Sequence, residues 1–385
     1  IEEGIEQKLN QIFDTEIKCM NVIGGDLLHA GKCVMSAPIT RVESWNTGDY
    51  DMIIDVRSPA EFADDHLPGA VNLPVLDNDQ RAEIGTMYKQ VSPFAAKRAG
   101  AALVSGNIAV HITTALKDTD RNFRPLIYCW RGGQRSGSMA RIFSEIGWHT
   151  DLIDGGYKNY RKQVLDGLDS LSQTLRLVVL RGRTGLAKTH ILQAAQAKGA
   201  QVIDLEGLAN HRGSLLGPEP DGDQPPQRLF ETRLHAVLCG LDPARPVFIE
   251  AESNKVGQIH VPAALWAVMR GAVSVVADTK IEHRVAFLCR DYAHIIANPA
   301  RLDPLLSWVV TRLGHDIVDG WRDMIAAGDW PGFVRAVLDD HYDPAYDKSA
   351  SQRNHEIIAR LDAGTLDADA IDRTADRLLA LRLPE

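Results

Sequence analysis

The 385-residue chain lacks long apolar runs, paired cysteines and a signal-peptide pattern. Its five cysteines are irregularly spaced, which excludes a disulfide framework, and the absence of a Cys-x-x-Cys pair argues against structural zinc. No segment reaches the roughly 18 apolar residues that a membrane helix needs. What is present, 45% hydrophobic and 24% charged residues, is ordinary for a globular protein. We therefore expect a globular protein of the cytoplasm, where thiols stay reduced.

The net charge of −9 is unevenly distributed along the chain. Residues 121–190 contain twelve Lys and Arg against five Asp and Glu, so this stretch carries +7 and the remainder −16. A basic patch on an acidic body can hold one polyanion without binding all of them. A solvated basic face is the alternative, and the charge alone does not decide between the two.

The sequence divides into an N-terminal extension and two domains. Residues 1–34 are weakly patterned, and Met35 followed by SAPITRVE resembles a natural start, so we expect 1–34 to be an extension. A polar stretch near 166–174 separates two series of apolar runs. We predict a first domain at 35–165 and a second domain at 175–385.

Short apolar runs alternate with helical patterns in both domains, which predicts the α/β class with parallel sheets. Ser58, Pro59 and Glu61 predict a helix N-terminus with a capping box. A long helical stretch is expected over about 79–117, and the chain from about 281 is predicted to be mostly helical. Strands are predicted at 52–56, within 66–74, and at 126–129, 176–181, 201–205, 246–250 and 273–278.

Cys129 ends a predicted strand and is followed by a glycine-containing loop and a helix. The glycines of such a turn let backbone N–H groups point inward, where they add to the dipole of the helix N-terminus. Arg135 could close the ring with a two-pronged guanidinium. Such a loop binds an anion and lowers the thiol pKa below its free value of about 8.5. The predicted site comprises Cys129, Trp130, Arg131, Gly132, Gly133, Gln134, Arg135 and Ser136.

Two enzyme classes use a cysteine in such a loop. Phosphatases use a Cys-x5-Arg loop to bind phosphate and attack phosphorus, and the spacing here is theirs. Rhodanese-like sulfurtransferases carry sulfur or selenium on the cysteine, usually with one residue fewer before the arginine. The segment IIDVRSPAEFADDHLPGAVNLP resembles their first half. Asp55 and Arg57 in this segment are expected to brace the loop or to line the site.

A second loop, GRTGLAKT at 182–189, follows a predicted strand and precedes a helix, as a Walker A phosphate loop does. Lys188 would reach terminal phosphates, and Thr189 could bind magnesium. Ala187 replaces the glycine of the pattern, and its Cβ is expected to crowd or restrict the backbone. A glycine turn that binds nothing is the alternative. The predicted phosphate-binding residues are Gly182, Arg183, Thr184, Gly185, Lys188 and Thr189.

Further candidates follow neighbouring strands of the second domain. Glu250 and Glu252 lie roughly where a Walker B carboxylate belongs. Glu206, His211 and Arg212 could also line a site. We predict no dedicated metal centre, and the use of magnesium or of a nucleoside triphosphate at the phosphate loop stays open.

These residues together make the chain similar to the tRNA 2-selenouridine synthase family, in which a rhodanese domain is fused to a P-loop domain. The resemblance runs from about Asp51 to at least Asp347, and Ala187 is the main departure from the family pattern. It rests on YCWRGGQRS and on RAEIGTMYKQ (81–90), DGGYKNYR (154–161), DLEGLANHRGSLLG (204–217), IEAESNKVG (249–257) and HYDPAYD (341–347).

The resemblance implies an enzyme that acts on the wobble uridine of tRNAs already carrying 2-thiouridine. The sulfur would be alkylated by geranyl diphosphate, and selenium from selenophosphate would then replace the S-geranyl group. Cys129 would carry selenium as a perselenide, and the 182–189 loop would hold the diphosphate of the geranyl donor. The basic stretch 121–190 would contact the tRNA backbone.

Two other functions stay open at this point. A Cys-dependent phosphatase or sulfurtransferase is the enzymatic alternative, and activity on aryl phosphates would identify the phosphatase. The non-enzymatic alternative is a tRNA-binding regulator, whose RNA binding would survive the loss of Cys129 and leave the RNA unchanged.

Overall fold

A computed structural model describes residues 36–212, 222–250, 253–351 and 356–383. The expected extension, residues 1–34, lies outside the described residues. Among the described residues, no helix is long and apolar enough to cross a membrane.

The first domain is built on a five-stranded parallel sheet with strand order β1-β5-β4-β2-β3. The capping box predicted at Ser58 and Glu61 begins the first helix, with Pro59 at its first position. The strands are β1 (Ile39–Val42), β2 (Met52–Asp55), β3 (Ala70–Asn72), β4 (Pro125–Tyr128) and β5 (Thr150–Ile153). The helices are α1 (Pro59–Asp64), α2 (Asn78–Gln90), α3 (Pro93–Thr113), α4 (Gln134–Ile146) and α5 (Gly156–Ser172).

The second domain contains another five-stranded parallel sheet, with strand order β12-β11-β6-β8-β7, and a two-stranded antiparallel ribbon of β9 and β10. The central strands β6, β8 and β11 are largely apolar and buried, as expected for strands covered on both faces. The strands are β6 (Arg176–Arg181), β7 (Gln201–Ile203), β8 (Pro246–Glu250), β9 (Lys255–Val256), β10 (Ile259–His260), β11 (Val273–Asp278) and β12 (Ile357–Asp362).

Helices cover both faces of this sheet and form the C-terminal part of the chain. Helices α12 to α14 pack around Trp321 and Phe333 in an apolar cluster of their own. The helices are α6 (Lys188–Ala197), α7 (Leu205–Leu208), α8 (Gln227–Cys239), α9 (Ala263–Gly271), α10 (Ile281–Asp291), α11 (Ala293–Ile296), α12 (Asp303–Leu313), α13 (His315–Ala326), α14 (Trp330–Val337), α15 (Asp343–Ser351) and α16 (Ala368–Leu379).

One apolar cluster joins the two domains. Alternate residues of β4 and β6 point into it, together with residues of α5 and α8 such as Val164 and Phe230. Polar contacts frame this junction: Asp65 of the first domain accepts hydrogen bonds from Tyr157 at 2.7 Å and from Thr232 of α8 at 3.0 Å. The junction therefore holds α8, and the second sheet behind it, against α5 of the first domain.

The predicted fold class, a rhodanese-like parallel-sheet domain followed by a P-loop-like α/β domain with a helical C-terminal part, is confirmed. The prediction of a single helix over 79–117 is wrong, because one helix, α2, ends at Gln90 and a second helix, α3, begins at Pro93. Ser92 has an extended backbone and caps α3, whose first residue is Pro93. The helical tail contains one element that was not predicted, the edge strand β12.

Candidate functional site

The Cys129 thiol lies between the end of β4 and the start of α4. Its side chain is buried, with 3% of the residue exposed. The backbone N–H of Gly133 and the hydroxyl of Ser136 each donate a hydrogen bond to Sγ at 3.2 Å. The sulfur atom therefore occupies the place at the helix N-terminus where an anion is stabilised.

The environment of Cys129 lowers the pKa of its thiol, as the sequence predicted. Burial raises this pKa, but hydrogen bonds from the Ser136 hydroxyl and from the backbone N–H groups of Ser136, Arg131 and Gly133 outweigh it. The donors are thus backbone amides and one hydroxyl. In the part of the chain that the structure describes, the groups that lower this pKa are hydrogen-bond donors and no side-chain cation is among them.

The first turn of α5 holds the Cys129 loop from behind. The N–H groups of Tyr157 and Lys158 donate to the carbonyls of Cys129 and Trp130 at 2.8 and 3.0 Å. A Cβ on Gly156 would lie 2.3 Å from the Cys129 carbonyl oxygen, so only glycine allows this approach. The segment DGGYKNYR, which the sequence marked only as part of a resemblance, therefore supports the loop.

Arg135 does not close the ring in the way that the sequence predicted. Its guanidinium makes a two-pronged ion pair with Glu61, with N–O distances of 2.6 and 3.2 Å. Burial raises the pKa of Glu61, but the hydrogen bonds and charge of Arg135 outweigh it and bring the pKa to about 2. Glu61 also caps α1 through Ser58. Glu61, which the sequence predicted only as a helix cap, thus also connects α1 to the Cys129 loop through Arg135.

The other residues of the loop lie at its rim. Trp130 is half-buried with its ring centroid 5.3 Å from that of Tyr157. Arg131 and Gln134 are exposed, and Gly132 is buried with a φ of +65°. The side chains of Arg131 and Gln134 are therefore accessible from solvent at this rim.

Asp55 and Arg57 are both buried, so they brace the loop and do not line an open cavity. They form an ion pair at 2.6 Å, and Arg57 also donates to the carbonyl of Asp65. The guanidinium lies 3.9 Å from the ring centroid of Tyr157, whose backbone holds the Cys129 carbonyl. Arg57, at the end of β2, therefore supports the Cys129 loop through its contact with Tyr157.

A cavity of about 460 Å³ opens beside the 182–189 loop. Its described lining residues all belong to the second domain, so it is separate from the Cys129 loop. Of the predicted residues, Thr184, Gly185, Lys188, Thr189, Glu206, His211, Arg212 and Glu250 line it, whereas Gly182 and Arg183 do not. Glu252 lies outside the described residues.

Lys188 and Thr189 connect this loop to its surroundings. The Lys188 ammonium donates to the carbonyl of Gly182 at 2.7 Å, which closes the loop on itself. The Thr189 hydroxyl oxygen lies 3.0 Å from a carboxylate oxygen of Glu206 and 2.9 Å from one of Glu250. Both side chains thus stand at the floor of the cavity, where a phosphate group would meet them.

Glu250 carries a strongly perturbed carboxyl group in this cavity. Burial, and then the charges of Glu206 and Asp204, raise its pKa well above the usual range. Its second carboxylate oxygen, Oε1, has no hydrogen-bond partner among the described residues. Carboxylate and hydroxyl oxygens are ligands that Mg²⁺ prefers, so Thr189 and Glu250 fit such an ion. No group of three or more His, Cys, Asp or Glu able to hold a metal occurs in the described ranges.

Ala187 adopts the left-handed conformation that the glycine of the pattern would take, with φ 53° and ψ 32°. Its methyl group is buried in the apolar cluster on one face of the second sheet. The expected effect of this Cβ is therefore a backbone strain of about 1–2 kcal/mol. The loop nevertheless keeps its turn into α6.

A network of two arginines and two aspartates braces the phosphate loop from the C-terminal helices. Arg284 of α10 is buried, pairs with Asp343 at 2.6 Å and donates to the carbonyl of Thr184 at 3.2 Å. Arg183 turns outward to Asp347 at 2.9 Å and lies 3.9 Å from Asp343. The segment HYDPAYD thus positions the loop, and Arg183 points away from the cavity. Arg284 was not predicted from the sequence. The signal that could have identified it is its position as a lone arginine on the apolar face of α10.

His211 and Arg212 close another side of the cavity. His211 is buried, and Arg212 pairs with Asp291 at 2.7 Å. The guanidinium of Arg212 also lies 4.9 Å from the ring centroid of Tyr292. This cation is therefore held at the cavity wall.

The parallel sheets and the two loops define the class of protein: a rhodanese-type domain with a buried cysteine, joined to a P-loop-type domain. Family models match both parts. The model described as a rhodanese-like domain matches residues 42–163, and that described as the tRNA 2-selenouridine synthase AAA domain matches residues 175–302.

The chain belongs to the tRNA 2-selenouridine synthase family. It is 33% identical to the tRNA 2-selenouridine synthase of Hahella chejuensis over 82% of this chain and 89% of that protein. It is 35% identical to the same-named protein of Nitrosomonas europaea over 68% of this chain and 70% of that protein. The Marinobacter nauticus protein of that name is 31% identical over 80% and 90% of the two chains. The family recognised from the sequence motifs is therefore confirmed.

Proposed function

We propose that this protein converts 2-thiouridine at the wobble position of tRNA to 2-selenouridine. The observation that carries the proposal is the buried Cys129 thiol, whose pKa is lowered by an anion-binding loop, in a chain of the tRNA 2-selenouridine synthase family. A separate cavity, lined by the 182–189 loop, is evidence that the enzyme also binds a second substrate. We expect the reaction in the cytoplasm.

The first step is alkylation of the tRNA by geranyl diphosphate at the 182–189 loop. The sulfur of 2-thiouridine forms a bond to C1 of the geranyl group, the C–O bond breaks, and diphosphate leaves with the electron pair. The N3 proton of the thiouracil ring is released to solvent. Lys188 and the backbone N–H groups before α6 stabilise the charge that builds on the leaving group. Thr189 and Glu250 would hold a magnesium ion, which would supply further positive charge to the diphosphate.

The second step replaces sulfur by selenium at the Cys129 loop. Alkylation turns the sulfur into a better leaving group and makes C2 more electrophilic. The outer selenium of the Cys129 perselenide attacks C2, and the geranyl thiolate departs, which leaves a C2–Se–S bridge to Cys129. A thiol reductant then attacks the Cys129 sulfur, which breaks the Se–S bond, releases 2-selenouridine and forms a mixed disulfide on Cys129. A second thiol reduces this disulfide and restores the Cys129 thiol. The loop supplies inward-pointing N–H groups and an open rim suited to selenophosphate.

The electron balance distinguishes two ways in which Cys129 can release selenium from selenophosphate. Attack of the thiolate on selenium forms the perselenide and expels phosphorus with an electron pair, as phosphite. Attack on phosphorus forms an S–P bond and releases selenide without a redox change, and water then yields phosphate. The perselenide is our proposal, and phosphorus NMR of the product decides: phosphite supports it and phosphate contradicts it.

The tRNA backbone would be held by exposed cations near the Cys129 loop. The structure ties much of the basic stretch into ion pairs: Arg124 with Asp151, Arg135 with Glu61, and Arg183 with Asp347. Arg131, Lys158 and Lys162 are exposed in the same stretch, and the first two flank the loop. These three are the residues that we assign to phosphate contacts.

Mass spectrometry of nucleosides tests the proposed function. The purified protein is incubated with tRNA carrying 2-thiouridine, geranyl diphosphate and selenophosphate. We expect S-geranyl-2-thiouridine and then 2-selenouridine. Hydrolysis of aryl phosphates with unchanged tRNA would instead identify a phosphatase, and tRNA that is bound without change would identify a regulator.

A further inference from the structure

A second, apolar cavity of about 50 Å³ adjoins the cavity of the phosphate loop. The two share Thr184, Leu288 and Tyr292 in their walls, so they meet at the loop itself. The remaining walls come from α11, the turn Pro299–Leu302, α14 and the residues that follow it. They are Ile295, Leu302, Trp330, Phe333, Val334, Val337, Leu338 and Tyr342.

The chemistry of the two cavities differs sharply. The phosphate-loop cavity contains Lys188, Arg212 and the carboxyl groups of Glu206 and Glu250. The walls of the smaller cavity are aliphatic and aromatic apart from the hydroxyls of Thr184 and the two tyrosines. A ligand that fills both must carry phosphate at one end and a hydrocarbon at the other. A nucleotide base would find few hydrogen-bond partners in the smaller cavity.

The apolar cavity lies at the seam between two separately packed clusters. Leu288 and Leu338 belong to the cluster on the second sheet, whereas Leu302 and Phe333 belong to the cluster of the C-terminal helices. Side chains at such a seam can separate to admit a chain while each cluster keeps its own packing. Walls made mainly of aliphatic and aromatic side chains favour a hydrocarbon over water.

We propose that this cavity binds the hydrocarbon chain of a prenyl diphosphate whose diphosphate lies at the 182–189 loop. The proposal rests on the alkylation step of the proposed function and gives that step its binding site for the chain. Leu288 and Tyr292 line the passage between the two cavities, and Val337 lines the apolar end. Because the apolar end is small, the length of chain that it admits depends on the side chains that close it, among them Val337.

Filling the apolar end tests the proposal by equilibrium binding to the full-length protein. Val337→Phe should weaken binding of geranyl diphosphate at least tenfold and leave binding of inorganic diphosphate unchanged. Val310→Phe is the matched control, because Val310 packs in the same helical cluster but lines neither cavity. Equal binding of geranyl diphosphate by Val337→Phe and the wild type would overturn the proposal.

A second variant covers the case in which Val337→Phe does not fold. Val337→Ala enlarges the apolar end and should raise affinity for farnesyl diphosphate relative to geranyl diphosphate. An unchanged ratio would also overturn the proposal. The two claims can fail separately. If wild-type protein binds geranyl diphosphate no better than inorganic diphosphate, the cavity assignment fails. If the chain is bound but the tRNA sulfur is never alkylated, only the proposed alkylation step fails.

Discussion

The Cys129 loop and the 182–189 loop share one design and differ in what they enclose. Each follows the end of a parallel strand, precedes a helix and is braced by a buried arginine paired with an aspartate, Arg57 in the first domain and Arg284 in the second. The first loop directs its hydrogen bonds at its own sulfur atom, whereas the second borders a cavity of about 460 Å³. The comparison indicates that the first loop serves a reactive atom and the second an extended ligand.

Removing the sulfur atom of Cys129 should have the largest effect and tests the difference between the two loops most strongly. Cys129→Ser should abolish 2-selenouridine formation, because a serine hydroxyl is not ionised at neutral pH and cannot carry selenium. Geranylation and tRNA binding should remain near the wild-type level, since the phosphate-loop cavity contains no residue of the Cys129 loop. Nucleoside mass spectrometry and a tRNA-binding assay measure both. Selenation by the serine variant would exclude Cys129 as the carrier.

Lys188→Ala tests the second loop in the same way. The substitution removes a cation that holds the Gly182 carbonyl and that would face the diphosphate of the proposed donor. We expect the transition state of geranylation to lose about 2–4 kcal/mol of stabilisation. The rate of S-geranyl-2-thiouridine formation should therefore fall roughly 30- to 1000-fold. An initial-rate assay with thiolated tRNA measures it. A fall below threefold would show that the lysine does not act on the leaving group.

Arg135 tests how the Cys129 loop is held. Arg135→Ala should reduce selenation at least tenfold, and Arg135→Lys nearly as much, because an ammonium cannot make both bonds to Glu61. Glu61→Gln is the matched control. If Arg135 acts through Glu61, Glu61→Gln causes a similar loss. If Arg135 leaves Glu61 to bind selenophosphate, Glu61→Gln retains activity, and the ion pair seen here belongs only to the ligand-free protein.

The thiols of the two domains should titrate at different pH. Hydrogen bonds lower the pKa of Cys129 despite its burial, whereas burial raises the pKa of Cys239 and Cys289. The midpoint of the pH dependence of alkylation, followed by peptide mass spectrometry, should therefore lie lowest for Cys129. Midpoints rather than rates are compared, because burial also slows access to Cys129. Equal midpoints would contradict the stabilised thiolate.

Ala187→Gly should have the smallest effect. Removing the Cβ relieves the left-handed strain of about 1–2 kcal/mol but loses a buried methyl group, about 0.8 kcal/mol, and adds backbone entropy to the unfolded chain. The free energy of unfolding should change by less than about 1 kcal/mol, as measured by urea denaturation. Geranylation should be unchanged or faster. A large loss of either would show that the loop depends on this methyl group.

The sequence predicts most of the sheets and both loops for physical reasons. Most central strands are buried on both faces, so they stand out as apolar runs, and the loops have distinctive spacing. The strand β5 is also interior and buried but was not predicted, because its four residues include a threonine and an aspartate. The edge strands β1 and β12 are largely exposed or mixed in burial, and their sequences contain charged residues, so their pattern is weak. The break before Pro93 had a signal, a serine followed by proline, that a long helical pattern concealed.

The parts of the site that the sequence could not predict depend on contacts between distant residues. Glu61 pairs with Arg135 across 74 positions, and Arg284 pairs with Asp343 across 59. Charge spacing along the chain does not report such pairs. The apolar cavity is likewise assembled from helices whose apolar residues resemble ordinary core positions in sequence.

The most direct test of separate roles for the two loops supplies Lys188→Ala with tRNA that is already S-geranylated, together with selenophosphate. Cys129→Ser is assayed in parallel, and 2-selenouridine is measured by mass spectrometry. If the loops act on separate steps, Lys188→Ala forms 2-selenouridine at close to the wild-type rate and Cys129→Ser forms none. If Lys188→Ala fails on this substrate while it still geranylates thiolated tRNA, the 182–189 loop serves the selenation step and the account is contradicted.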